Sequence, residues 1–596
     1  MSEKKITFGR VFWPSLWAGL IVSLLIGIIW IIFIGTLFSG FSSEPASVQD
    51  KTVLHLTLEG EIGERGESKL NPMSFSFDKK IGLSALLHGF NKAAKDKKIK
   101  GIFLELNNPI CGIATAKEIR DAINRFEESG KFVIAYNSGE VVTTKSYYIA
   151  SAANENYGFP SSNVQFLGLG AELSFFKKTL DNLEVEMQVI RGSDNHFKSA
   201  VEPFFRENMS DSARLQTERY IGGIWEEIRK DIGKDRSISI EKLNELAEKA
   251  SILDVNDAVK HKLMDGAFYK DEVMTLLKKK CKIAAKNEIE FFAFEKYAKK
   301  AFYQDQILMV EDNPNIAVIL AEGGVAKSGE GLTSDDICKL FQEVRANKSI
   351  KTVVFRVNSP GGSALASDEI WREVKLTNQK KKVIVSMGDV AASGGYYISA
   401  PATTIFAQPS TITGSIGVFG VIPFTGKMLE NKLGLTFDRV ATNKHAIMTT
   451  NRKLTEEELS IIQKNVDNIY DQFKGVVAEG RGMTKAQVNV VGRGRVWTGT
   501  DAHKIGLVDE LGGLYDAINF AAKKSNIKTQ KVLYYPIAKE DKFSAIIEQL
   551  EDTEASIKVQ KGMTMPKELQ VYYNQLKKLE AIQGIQMRLP FDVNFN

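Results

Sequence analysis

The sequence predicts an α/β protein of two tandem homologous domains that follow an N-terminal transmembrane helix. Three observations carry this: an uncharged apolar run near the N-terminus, a residue pattern written twice at an offset near 250, and alternation of strand and helix within each copy. At 596 residues the chain is too long for one hydrophobic core, so at least two domains are expected once the membrane segment is set aside. With 43% hydrophobic and 25% charged residues the composition is that of folded globular domains, not of disordered chain.

Residues 1–10 form a basic head carrying Lys4, Lys5 and Arg10, and the run 11–41 that follows holds no charge. A membrane-spanning helix needs about 20 apolar residues, which this run exceeds. A cleaved signal peptide would have an apolar core of about 7 to 15 residues. The Ser43-Glu44-Pro45-Ala46-Ser47 stretch leaves cleavage open, but the length favours an uncleaved anchor. Because positive charge stays in the cytoplasm, residues from about Ser42 onward are expected outside, as the body of a single-pass protein of the inner (cytoplasmic) membrane.

Beyond the anchor the chain repeats itself. Lys98 to Pro109 matches Ser349 to Pro360, Tyr147 to Ala152 matches Tyr396 to Pro401, Leu183 to Lys198 matches Leu433 to Met448, and Asp257 to Asp265 matches Asp501 to Asp509. The offsets are 251, 249, 250 and 244, the pattern of two domains of common origin with small loop changes. Lys98–Pro109 and Ser349–Pro360 each read as a buried strand running into a turn; with the strands Phe132–Tyr136 and Val383–Ser386 they alternate with helical patterns at Ala116–Glu128 and Ser367–Leu376, which predicts a largely parallel sheet in each half. The polar run Glu311-Asp312-Asn313 before Pro314 divides the halves. The expected domains are 42–312 and 313–528, followed by a C-terminal helical extension over 529–596.

Several classes are excluded. A net charge of +5 over 78 basic and 73 acidic residues is too balanced for a nucleic-acid partner, and the run Lys278 to Lys280 reads as a solvated helix end. Cys111, Cys281 and Cys338 lie in no CxxC pattern, and the six histidines have no paired-ligand spacing, so neither disulfide nor metal is expected.

The chemistry is divided between the halves. In Val383 to Tyr397, Ser393 stands at a strand-to-helix turn among Ala392, Gly394 and Gly395, which leaves room for a substrate carbonyl and supplies helix N–H groups. Asn358-Ser359-Pro360-Gly361-Gly362 ends the preceding strand at the same sheet edge. Backbone N–H groups of Gly361, Gly362 and Gly394 are candidates for an oxyanion hole. Neither turn alone is specific: Ser-Gly-Gly also begins ordinary helices, and Pro-Gly-Gly also makes ordinary turns. His445 and His196 sit in polar stretches that read as surface loops, which leaves a lysine as the base. Lys198, between Phe197 and Ser199-Ala200-Val201, has the aromatic and small neighbours that would bury and neutralise an amine. The repeat singles it out: Met448 replaces Lys198 in the second half, while Thr144 replaces Ser393, and Ile110 and Cys111 replace Gly361 and Gly362, in the first. One dyad remains, with Ser393 as nucleophile and Lys198 as general base.

These residues are similar to the signal peptide peptidase A (protease IV) family in its long, duplicated bacterial form. The likeness runs through the anchor, Lys198 to Phe204, Asn358 to Gly362, Ala392 to Tyr397, Gly494-Arg495-Val496-Trp497-Thr498-Gly499 and the terminal Met587-Arg588-Leu589-Pro590-Phe591. It implies a fold related to crotonase and ClpP, a Ser/Lys dyad, a bowl-shaped homotetramer and no cofactor. The substrates implied are signal peptides and other hydrophobic peptides in the membrane lipid. Two other readings stay open: a crotonase-like acyl-CoA enzyme, and a catalytically silent membrane scaffold.

Overall fold

Six strands of the first half run parallel in one sheet. The computed structural model describes residues 48–537, except 67, 72–75, 80, 285 and 330, together with 585–588. All elements named here belong to one compact unit, Lys51–Lys539 with Gln560–Asn596; of the other unit, Met1–Asp50 with Glu540–Val559, only 48–50 are described. The predicted head and anchor, 1–41, lie outside the described residues, among which no helix is long and apolar enough to cross a membrane.

Apart from two short two-stranded ribbons, the strands of the first half are β1 (Thr52–Glu61), β2 (Ile99–Ile110), β3 (Phe132–Asn137), β4 (Glu155–Gly158), β5 (Glu186–Arg191), β6 (Gly266–Ala267) and β7 (Phe291–Ala293). All except β5 form the sheet, in the order β6-β4-β3-β2-β1-β7. Its central strands are apolar on both faces, as a parallel sheet covered by helices requires: Val53, Leu54, Leu56, Ile102, Phe103, Leu104, Val133 and Ile134 are all buried.

The second half repeats this plan with β8 (Ile316–Glu322), β9 (Thr352–Ser359), β10 (Gly361–Ser363), β11 (Lys382–Ala392), β12 (Thr404–Ala407), β13 (Ile412–Gly414), β14 (Phe419–Phe424), β15 (Val496–Thr498), β16 (Glu510–Leu511), β17 (Val532–Tyr535) and β18 (Ile585–Arg588). Six of these follow the order β16-β12-β11-β9-β8-β17, parallel throughout, with β13 and β15 added beyond β11. The duplication extends to single hydrogen bonds. Tyr147 donates its hydroxyl to Leu263 O and Tyr396 to Leu507 O, both at 2.8 Å. Asp265 accepts from Asn156 N at 2.7 Å as Asp509 accepts from Ile405 N at 2.8 Å. The 26-residue helices Asp211–Arg236 and Glu456–Arg481 also correspond, and each sends its last arginine to that aspartate.

Where the predicted helical extension 529–596 is described, it is extended backbone. The β-branched and aromatic Val532-Leu533-Tyr534-Tyr535 pairs alongside buried β8, and Ile585–Arg588 is a strand as well.

Three of the features that join the halves bear on how they are placed. β5 leaves its own sheet for an antiparallel one with second-half strands, in the order β10-β18-β14-β5. Arg356, in the middle of β9, donates to Glu64 at 2.9 Å and pairs with Glu118 at 2.6 Å, all three buried. Burial lifts the Glu118 carboxyl to about 7 despite the guanidinium beside it. Asp389 of β11 accepts from Thr115 N at 2.8 Å and Gly112 N at 3.2 Å, capping the helix Ile113–Glu127 of the other half. Gly112 permits this approach, since a Cβ there would lie 2.1 Å from the Asp389 carboxyl carbon.

Candidate active site

Ser393 follows β11 and is the N-cap of the helix Gly394–Ser399. The chain must turn sharply from strand to helix here, and Ser393 takes φ 55° and ψ −115°, a backbone conformation that a side chain disfavours and that concentrates at functional turns. Its N–H donates to Gly414 O at 2.8 Å and its carbonyl accepts the first helical bond from Tyr397 N at 2.8 Å, so the surroundings hold the conformation.

Lys198 reaches this serine from the other half. It precedes a 3₁₀ turn, Ser199–Phe204, in a loop held by the second half: Phe197 N donates to Arg493 O at 2.9 Å and the Asn195 side chain to Val418 O at 3.1 Å. Gly494 lies against it, and a Cβ there would fall 2.6 Å from the Lys198 backbone nitrogen. Lys198 Nζ is 2.8 Å from Ser393 Oγ, 2.9 Å from Ser415 Oγ and 3.0 Å from Ser415 O. Both Lys198 and Ser393 have 0% exposure. Burial alone drives the amine far below its ordinary pKa; no neighbouring charge contributes to the shift. A neutral amine has two N–H groups and one lone pair, which matches two oxygens of Ser415 and one hydroxyl of Ser393. The arrangement is suited to moving a proton from hydroxyl to amine.

The predicted glycines gather at the same place. Gly361 has φ 93°, open to glycine and strained for other residues. A Cβ on Gly394 would lie 3.1 Å from Gly361 Cα and from Gly362 N, so the two turns pack backbone to backbone. Gly361 N donates to Ser359 Oγ at 3.2 Å, while Gly394 occupies the first position of its helix, where an N–H has no partner within the helix. β18 pairs with β10 at Gly361–Ser363, with Met587 opposite Gly362.

The residues set aside in the sequence stay outside this cluster. His196 is exposed, and His445 meets Glu457 at 3.2 Å on the surface. Thr144, the first-half counterpart of Ser393, donates its hydroxyl to Gln165 O at 2.6 Å. Cys111 is a free thiol pushed up to about 12, chiefly by burial, which leaves it unreactive. Ser415, held at φ 51°, is the site residue that reading the sequence missed. The repeat carried the signal: at the offset that pairs Tyr147 with Tyr396, Phe166 stands where Ser415 does.

Comparison with known proteins gives a consistent picture. The family described as peptidase family S49 matches residues 125–284 and again 375–528. The chain is 31% identical to a chloroplastic serine protease SPPA of Arabidopsis thaliana, over 84% of this chain and 73% of that one. It is 34% identical to a Protease 4 of Salmonella typhi, over 76% of this chain and 73% of that one. A Protease 4 of Haemophilus influenzae is 32% identical, over 82% of each chain. Among solved structures, a mutant ClpP1 from Listeria monocytogenes aligns over 36% of this chain and 98% of its own at 18% identity, with a TM-score of 0.25, and nothing is built on that likeness.

Proposed function

Because this chain belongs to peptidase family S49, with the family domain present twice, and is a serine protease, we propose that Ser393 is its nucleophile and Lys198 its general base. The observation that carries this is the 2.8 Å approach of Lys198 Nζ to Ser393 Oγ at a site shut off from water. The neutral amine takes the hydroxyl proton as Oγ attacks the scissile carbonyl. Backbone N–H groups of Gly394 and of the Gly361-Gly362 turn hold the oxyanion, each such donor contributing roughly 3 kcal/mol to lowering the barrier. The lysine then returns the proton to the leaving amine, and a water activated by the same amine releases the acyl group from Ser393.

The substrates proposed are hydrophobic peptides, chief among them signal peptides left in the membrane. One relative, 34% identical over 37% of this chain, is a putative signal peptide peptidase SppA of Enterococcus faecium. The apolar run 11–41 serves as a single-pass anchor, with 1–10 in the cytoplasm and domains 42–312 and 313–528 outside, in a fold akin to crotonase and ClpP. Four copies assemble.

A fluorophosphonate probe tests the assignment: it labels wild type and fails on Ser393→Ala and Lys198→Ala. Equal labelling of Lys198→Ala and wild type would remove the lysine from the mechanism. Absence of labelling throughout would favour a scaffold, and tight binding of acyl-CoA would favour the crotonase-like reading.

A further inference from the structure

We propose that the second half carries a binding site for phosphate groups at the end of its sheet opposite Ser393. An open cleft of about 650 Å³ lies where β8, β9, β11 and β17 begin, beside the end of the helix Leu514–Lys524. Seven of its twelve lining residues are lysines and none is acidic. β11 runs from Lys382 at this cleft to Ala392 beside the catalytic turn, so at about 3.3 Å per residue roughly 30 Å of sheet separates the two. The cleft is no part of the peptide site.

The first half shows that the fold alone does not require this charge. Val53 N donates to Glu290 O as Ile316 N donates to Lys531 O, so an acid of one copy is the equivalent of a lysine in the other. Gly101 stands beside Phe132 across β2 and β3 where Thr352 stands beside Lys382 across β9 and β11. The helices Lys270–Lys280 and Leu514–Lys524 correspond, and the turns after them place Ala284 where Lys528 stands and Lys282 where Asn526 stands. Three lysines are gained around the cleft and one is lost. Lys280 is matched by Glu155 at 2.7 Å, whereas the position of Glu155 in the second half, beside Ile384 as Glu155 is beside Ile134, holds Thr404.

The cations of the cleft are largely uncompensated. Among the described residues Lys380 and Lys528 are exposed and meet no carboxylate, Lys382 donates to Lys524 O at 3.1 Å, and of the seven only Lys531 meets an acid, Asp312 at 2.9 Å. Lys381 donates to Val344 O and Asn347 O, as Lys131 does to Ala93 O and Asp96 O in the first half. Burial, and then the charges of Lys351 and Lys380, hold the Lys381 amine below its ordinary range. Like charges crowded in this way are relieved by a bound anion.

The lining also selects the anion. It holds no arginine, whose planar fork suits carboxylates, while lysine serves phosphate as a compact point charge. Ser525 and Thr529 add hydroxyl groups to the same wall. Seven cations around one cleft match several phosphate groups together, whether those of an oligophosphate or those of neighbouring anionic lipid headgroups.

The test uses the full chain in nonionic detergent with two probes: inorganic tripolyphosphate, followed by equilibrium dialysis, and labelled phosphatidylglycerol, followed by co-elution in gel filtration. Wild type binds, and Lys380→Glu with Lys528→Glu weakens binding by at least about tenfold. Lys100→Glu with Lys279→Glu makes the same change of net charge at the corresponding end of the first half and leaves binding at the wild-type value. Binding of tripolyphosphate assigns the site to soluble oligophosphates; binding of phosphatidylglycerol alone, with phosphatidylcholine inert, assigns it to lipid headgroups. Citrate bound as tightly as tripolyphosphate overturns the assignment to phosphate. Failure of both probes to bind, or equal weakening by the two double variants, overturns the site. Both double variants keep wild-type circular dichroism and hydrolysis of a soluble peptide, so the outcome is read independently of the dyad.

Discussion

Lys198 Nζ and Ser393 Oγ meet at 2.8 Å although 195 residues separate them, because a loop ordered by one half of the molecule is clasped by the other. The lysine is surrounded by hydroxyl and carbonyl oxygens and by no paired carboxylate. That environment favours the neutral amine, the only form able to accept a proton.

Removing either group should abolish catalysis without unfolding the protein. Ser393→Ala and Lys198→Ala are expected to keep wild-type circular dichroism while peptide hydrolysis falls by at least about a thousandfold. Lys198→Arg should be equally inactive, since guanidinium stays charged. Thr144→Ala and His196→Ala should retain most activity, as measured by turnover of a fluorogenic peptide.

Ser415 is expected to position the amine. Ser415→Ala removes one of the three partners of Nζ, a loss of about 1–2 kcal/mol, so kcat should fall roughly 5- to 30-fold with KM little changed. A larger effect on KM than on kcat would count against this role.

The buried amine also sets a pH dependence. The unfolded chain binds the proton up to about 10.5, the folded chain only below its depressed value, so between the two the unfolded state holds more protons and stability rises with pH. The penalty is fully present below the depressed value and vanishes above 10.5. Lys198→Met, which reproduces the residue at 448, should therefore melt above wild type at pH 7, with the gap closing toward pH 10.5 in thermal scans. Wild-type activity should rise with pH through the depressed value.

The ion cluster at Arg356 should matter more for stability than for chemistry. Arg356→Met leaves Glu64 and Glu118 buried without their cation, and a loss of about 3–5 kcal/mol is expected in denaturant unfolding. Exchanging all three for apolar residues of similar volume should recover most of it.

Much of this architecture was legible because duplication makes a sequence comment on itself. Tyr147 and Tyr396 marked equivalent helices, and the absence of a lysine at 448 and of a serine at 144 marked the candidate dyad. The strands predicted within Lys98–Pro109 and Ser349–Pro360 and over Phe132–Tyr136 and Val383–Ser386 are observed at Ile99–Ile110, Thr352–Ser359, Phe132–Asn137 and Lys382–Ala392, where apolar runs feed parallel sheets. Contacts between the halves left no such trace. Asp389 capping a helix 274 residues away, and Glu64 meeting Arg356, follow from domain placement that local periodicity does not encode. Arg356 in the middle of an apolar strand was the one visible hint of a buried partner. Val532–Tyr535 illustrates the opposite case, a short strand defined by the edge it joins.

The proposed division of the catalytic groups between halves has a consequence for biosynthesis. A ribosome delivers Lys198 long before Ser393, and Gly494, against which the lysine loop rests, later still. On that proposal the emerging polypeptide would have no hydrolytic power over itself or its neighbours until nearly the whole chain had been made and both halves had closed on each other. Latency of this kind requires no propeptide.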